Sequence, residues 1–400
     1  NVIKDSIDDI KQYKTDNNLL EIMGDLDDLF AESNDGLNRV SEIVKNLRDL
    51  SRVDLDQEYE NYDILQGVKE TLNVAKNEYK YVATIETELN ELSSILADSR
   101  SNEYGRVDKV AAWALLSRLY LNAPVYIGSD MSSQVVANAE KVISSSYSLN
   151  TSDGNGNGSA YDELFLADNN TNGAQNEFIF VVQFDGLNSQ TWGGGTFMVH
   201  APIGGSMDPS IFGVNGGWGG LRTTKALVDK FEYSITAKDG DGYPIAWSDS
   251  RAMFHTDGQN YEMEKVAPFK EGYGVTKFRN VDVTGAAGSD SSGDHVDTDL
   301  SIIRLAEVYL NYAEAAVKGG GGSLDIATDL INQLRSRAGA PTITSSDLTS
   351  DFVLDERSRE LYWEGQRRSD LIRHDKFVTS NYMWPFKAGA AQGKASDDYR

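Results

Sequence analysis

Apolar residues recur at three- and four-residue steps over long stretches of this chain. In its last third Leu305, Val308, Tyr309, Tyr312, Ala313 and Ala316 fall on one helical face, which predicts a packing helix over Ile302–Val317. Ala306, Ala313, Ala315 and Ala316 are small enough to admit a close neighbouring helix, as helical hairpins require. Gly319–Gly322 interrupts the pattern before a second helix. At Leu354–Phe377 the chain turns charged, with Glu356, Arg359, Glu360, Glu364, Arg367 and Arg368 spaced for same-helix ion pairs. On an exposed face such pairs contribute about 0.3–0.5 kcal/mol each, so this block reads as a structural helix and not a catalytic site. Helices are also expected within Asn102–Gly128, around the Ala111–Leu116 ridge, and at Ala137–Asn150. Trp113, set among Ala and Leu, is expected in the core, and Trp363 with it.

The middle of the chain has a different texture. Glu177–Gly186 (EFIFVVQFDG) carries the β-branched and aromatic content of a buried strand between Asn/Gly turns. Glycine clusters then punctuate Trp192–Leu221, with Trp192 and Trp218 among them, and Asp239–Trp247 adds Tyr243 and Trp247 in another polar loop. Glycine turns can leave rings uncovered, and an uncovered ring can stack on the apolar face of a sugar. The competing reading is that these rings plug gaps in a loop-rich region. Trp192, Trp218, Tyr243 and Trp247 are the candidate ligand-binding residues. Asp153–Gly158 (DGNGNG) opens like a calcium loop, with Asp153, Asn155 and Asn157 at ligand positions, but Leu164 stands where the bidentate Glu is required. It reads as a solvated turn, and no metal site or cofactor is expected.

Composition divides the chain near residue 100. All Pro, His and Trp residues lie beyond that point, and only Gly24, Gly36 and Gly67 precede it. The leading segment reads as acidic and helical, with an apolar stripe at Leu37, Val40, Ile43, Val44 and Leu47. A net charge of -25 argues against nucleic acid and anionic membrane surfaces as partners. The absence of Cys excludes disulfides and thiolate metal sites from the chain as given. H-E-x-x-H, G-x-S-x-G and P-loop patterns are missing, and the His residues are scattered singly. The 62 acidic residues supply many accidental carboxylate pairs, which carry little weight for glycoside hydrolysis. The missing motifs lower the enzyme reading without closing it.

Two blocks carry a family resemblance. The first is Arg304, Leu305, Ala306, Glu307, Tyr309, Leu310, Tyr312, Ala313 and Glu314; the second is Glu356, Arg357, Arg359, Glu360, Leu361, Glu364, Gly365, Arg367, Arg368, Asp370 and Leu371. With Asn102–Gly128 they resemble the SusD/RagB family of Bacteroidetes over about residues 102–400. The resemblance implies a mainly α fold of tetratricopeptide-like hairpins with a loop-rich, partly β insertion. It implies a non-catalytic, cell-surface lipoprotein of the outer membrane that binds an oligosaccharide or polysaccharide. Its implied partner is a SusC-like TonB-dependent transporter. The chain opens at Asn1 without a signal peptide, so an exported form is expected to have lost its leader and lipid-bearing Cys.

The leading segment resembles another family. Asn34–Asp54 and Tyr62–Leu89 are similar to a sensor histidine kinase dimerisation helix and the start of its ATP-binding domain. That kinase needs a phosphoacceptor His, and none occurs before His200. The expected organisation is a helical segment over 1–95, a fusion or mis-joined piece, followed by the glycan-binding domain over 96–400. The alternative function is a signalling protein that uses the leading segment to dimerise; a peptide or another nutrient is a further possible ligand class.

Overall fold

The computed structural model describes residues 84–395. They belong to one compact unit, Thr84–Arg400. The expectations for the leading segment, including its apolar stripe and its kinase-like stretches, lie almost wholly outside the described residues.

A helix over residues 84–95 comes first. It joins the core through Leu89 and through the Tyr120 hydroxyl, which donates to Glu86 at 2.8 Å. Next come α1 (Lys109–Leu121), α2 (Ala123–Ile127) and α3 (Ser132–Ile143). The single helix expected within Asn102–Gly128 is thus shorter and divided. Asp108 starts α1 by accepting the amide protons of Val110 and Ala111, and Pro124 lies in the first turn of α2, where its missing N–H costs nothing.

The strands are short: β1 (Phe178–Val182), then α4 (Gly194–His200) and α5 (Lys225–Val228), then β2 (Ile235–Lys238), β3 (Pro244–Trp247), β4 (Phe254–His255), β5 (Gly274–Val275) and β6 (Leu300–Arg304). They pair as three antiparallel ladders, β1 with β6, β2 with β3 and β4 with β5. Four helices close the unit: α6 (Leu305–Val317), α7 (Leu324–Arg337), α8 (Ser350–Leu361) and α9 (Arg367–Arg373). Among the described residues no helix is long and apolar enough to cross a membrane.

The packing helix is α6, and it differs from expectation in two ways. It begins at Leu305, because Ile302, Ile303 and Arg304 extend β6, where Ile303 pairs with Phe180 and Arg304 with Phe178. It is also buried on every side from Leu305 to Ala316, as befits a helix surrounded by α1, α3, α7 and α8. Polar side chains at this depth need partners. Glu307 accepts from Arg118, Asn311 accepts from Arg357, and Glu314 accepts from Arg373 and Lys318.

The charged block corrects the sequence reading more sharply. Glu356 and Glu360 are fully buried, and among the described residues the block's same-helix ion pairs are Glu356–Arg359 and Asp370–Arg373. Glu356 also meets Arg251 at 2.7 Å and Arg335 at 2.9 Å; Glu360 meets Arg304 at 2.6 Å, Arg251 at 3.1 Å and also Arg337. Glu177, just before β1, joins Arg304 at 2.9 Å and Arg337 at 2.6 Å. Glu364 meets Arg304 and Lys277, each at 2.7 Å. Burial alone would raise these carboxyl pKa values, but the facing guanidinium groups outweigh it and hold Glu360 well below the usual range, with Glu356 lowered to about 2. Lys277 goes the other way, lowered to about 8 chiefly by burial among Tyr161, Phe165 and Tyr362. The network stitches β1, β6, α7 and α8 to the loop bearing Arg251.

Trp113 is half-buried, not central: its ring packs on the helical core with the Lys141 ammonium 5.7 Å from its centroid. Trp363 is also half-buried, bridging two smaller clusters from a left-handed backbone (φ 64°).

Candidate functional site

The glycine-punctuated segment packs as the expected loop country, and its glycines have steric causes. At Gly194 (φ 56°) a Cβ would lie 2.2 Å from the Phe184 ring, and at Gly217 it would lie 2.2 Å from the Ile203 carbonyl oxygen. Both close approaches fold the segment against α4. The Trp218 amide donates to the His200 carbonyl at 3.0 Å, and the Gly219 amide to the Ile203 carbonyl at 2.9 Å. Trp218 is thereby laid over the end of α4, its ring stacked on His200 at 5.3 Å and 17°.

His200 is 1% exposed. Its Nδ1 lies 2.7 Å from the Gly216 carbonyl, an obligate acceptor, so Nδ1 carries the proton. Nε2 finds no hydrogen-bond partner, and neither does Thr196 Oγ1 one turn earlier. Above this floor stand three uncovered rings: Trp192 at 57% exposure, Trp218 at 44% and Phe197 at 40%. Trp192 and Trp218 lie 6.2 Å apart at 55°, Phe197 and Trp218 5.8 Å apart, and His295 flanks Trp192 at 4.9 Å. The result is a tilted aromatic surface from two loops and one short helix, suited to stacking.

The structure therefore brings together Trp192 and Trp218 and sets the other two candidates elsewhere. Tyr243, on the β2–β3 hairpin, stacks on Tyr261 at 4.9 Å and 22°, and the Tyr261 hydroxyl is bonded to Asp229. Trp247, in β3, is half-buried in the third core cluster, edge-on to Phe254 at 5.3 Å and Tyr273 at 6.5 Å. Its indole nitrogen is buried without a partner. Among the described residues no ring contact joins these groups to the Trp192–Trp218 pair. Phe197, His200, His295 and Tyr261 were missed in the sequence. Phe197 stood beside Gly193–Gly195 and was within reach of the glycine argument; the others come from segments distant in sequence.

The Asn/Gly turn closes on itself. Asp153 accepts the amide protons of Asn157 and Gly158, and Glu163 that of Asn155. Elsewhere a cavity of about 250 Å³ is lined by Leu227, Leu361, Trp363, Leu371, Tyr382 and Trp384. Its charged liners are already engaged, Arg357 with Asp370 and Arg367 with the Leu354 carbonyl and Tyr382.

Residues 253–399 match the SusD family model. The chain is 32% identical over 362 aligned residues to the starch-binding protein SusD of Bacteroides thetaiotaomicron, an alignment covering 82% of this chain and 63% of SusD. Its fold is shared with a SusD superfamily protein from Parabacteroides distasonis (TM-score 0.54, 24% identity, 78% of this chain and 62% of the other). A SusD-like protein from Bacteroides fragilis is similar as well (TM-score 0.52, 22% identity, 75% and 61%). The chain spans less than two thirds of the length of these relatives. The charged block that marks the resemblance is the buried ion-pair network, and the family match over residues 253–399 together with the identity to SusD bears out the chain's resemblance to the SusD/RagB family.

Proposed function

We propose that this chain is a non-catalytic glycan-binding protein of the cell surface, lipid-anchored at the outer membrane, which hands an oligosaccharide or polysaccharide to a SusC-like TonB-dependent transporter. The observation that carries the binding reading is the exposed Trp192–Trp218 pair at 6.2 Å. Large flat rings kept in water by glycine-rich loops have no packing role that explains their exposure, whereas stacking on successive sugar rings does. Its SusD relative is named as a starch-binding protein, which supports the same ligand class. Trp192 and Trp218 are the proposed contact residues, with Phe197 at their edge; Tyr243 on its Tyr261 partner offers a second surface. Trp247 fits a packing role better. The signalling alternative lacks its phosphoacceptor, since Asn1–Val199 contains no His.

The test is affinity electrophoresis of the chain through gels containing starch or other polysaccharides, with calorimetry for affinity. Trp192→Ala is expected to weaken binding by about 1–3 kcal/mol, the scale of one stacked aromatic contact, at an unchanged melting temperature. Full retention by this variant would overturn the platform. Co-purification with a SusC-like transporter tests the partner.

A further inference from the structure

Resting on that reading of the platform, we propose that it selects neutral glycans and rejects anionic ones, such as polyuronates and sulfated polysaccharides. Two segments build the face. The first supplies Trp192, Phe197 and Trp218; the second supplies His295 and the acids around it. Neither holds a cation: no Lys or Arg occurs from Val142 to Leu221, nor from Asn280 to Ile303.

The two segments are tied at the platform. Asn215, three residues before Trp218, donates from Nδ2 to Asp294 at 2.6 Å and to the Ser292 carbonyl at 2.9 Å, and its amide donates to the Gly293 carbonyl at 3.1 Å. On the Trp192 side, the Gly186 amide donates to Asp297 at 2.7 Å, and a Cβ on Gly186 would lie 3.1 Å from that of Asp290. The Asp290 carboxylate accepts the His295 amide at 3.0 Å, directly behind the imidazole that flanks Trp192. Asp290, Asp294 and Asp297 thus lie on the segment that sets His295 against Trp192, with exposed Asp185 on the same loop as Trp192.

Asp290, Asp294 and Asp185 are held below the ordinary aspartate value and so stay charged in the physiological range. The amides of Ser292 and His295 lower Asp290 to about 2, the Asn215 side chain lowers Asp294, and the Asn188 side chain lowers Asp185. The bordering cation Arg222 is committed to the carbonyls of Gly220, Val266, Pro268 and Glu271. The adjoining loop with Phe269 carries Lys265 and Lys270 beside Glu262, Glu264 and Glu271, which leaves no positive excess. A carboxylate or sulfate on every sugar would stand within a Debye length of this field, about 8 Å at physiological salt. A neutral chain meets no such repulsion, and its hydroxyls can donate to the same carboxylates.

The chain would be run through gels containing neutral amylopectin, polygalacturonate or chondroitin sulfate, at low and at moderate salt. Retention by the neutral polymer, at least about tenfold weaker retention by both polyanions at low salt, and narrowing of that gap as salt rises are expected. Ser291→Lys, at an exposed position, should raise polyanion affinity several-fold and leave amylopectin affinity unchanged. Equal retention by neutral and anionic polymers at low salt would overturn the charge selectivity while sparing the platform. Retention by none of them would overturn the glycan reading and the selectivity with it.

Discussion

Arg304 meets Glu360 twice: Nη1 donates to the carboxylate at 2.6 Å and Nη2 to the backbone carbonyl of the same residue at 2.8 Å. One guanidinium thereby fixes the end of β6 to the last turn of α8. Its remaining donors reach Glu177 and Glu364, so a single side chain holds the starts of β1 and α6 in register with α8.

Removing one member of such a buried set leaves its partners charged and unpaired. Glu360→Gln is expected to cost about 3–5 kcal/mol in denaturant unfolding. Glu262→Gln, which breaks the exposed pair with Lys225, should change stability by less than about 1 kcal/mol. Equal effects for the two variants would show that the network carries no special share of the fold's stability.

The same network sets the acid limit. Burial opposes ionisation of Glu356, Glu360, Glu364, Glu314 and Asp370, yet their arginine partners keep each folded pKa below its ordinary value. Between the folded and unfolded values the unfolded chain binds more protons, so stability present at neutral pH is lost as pH falls from about 4 toward 2. Asp299 has the opposite sign: burial raises it to about 6, so its contribution grows on acidification from about 6 to 4. Melting temperatures should fall steeply below about pH 4, and Asp299→Asn should abolish any small rise between pH 6.5 and 5. A wild-type melting temperature that is flat down to pH 2.5 would contradict this account.

Tryptophan replacements separate scaffold from surface. Trp113→Ala should cost about 2–3 kcal/mol, less than a fully buried ring, because the ring is only half-buried against the helical core. Trp247→Ala should cost a similar amount through Phe254 and Tyr273 and leave glycan affinity within about twofold. Loss of binding in a Trp247→Ala protein with an unchanged melting curve would return that residue to the ligand face.

Gly194→Ala places a methyl 2.2 Å from the Phe184 ring at a positive φ, so α4 must shift and the platform with it. A destabilisation of about 1–3 kcal/mol together with weakened glycan binding is expected. Unchanged affinity would show that the rings do not depend on the seat of α4.

The helical half of the fold was legible because its signal is periodic and local. Leu305, Val308 and Tyr312 announced α6, and the two charged and aromatic blocks were dense enough to carry a family. The start of α6 was misplaced because Ile302 and Ile303 suit either period, and only the pairing of Ile303 with Phe180 decides for a strand. Trp192 and Trp218 were marked as ring candidates by their glycines, but nothing local distinguished them from Trp247, whose covering partners Phe254 and Tyr273 come from other segments of the chain.

By itself, then, the sequence determined a helical packing core, a glycine-rich aromatic segment and an acidic, cysteine-free chain, since these follow from residue type and spacing alone. The tertiary structure decided the depth of each charge and the company of each ring. Glu356 and Glu360 looked like solvated helix residues until Arg251, Arg304, Arg335 and Arg337 arrived from distant segments to neutralise them inside the core. The physical reason is the same for rings and charges: both burial and Coulomb energy depend on neighbours in space, and residue spacing along one segment records only the neighbours that segment supplies itself.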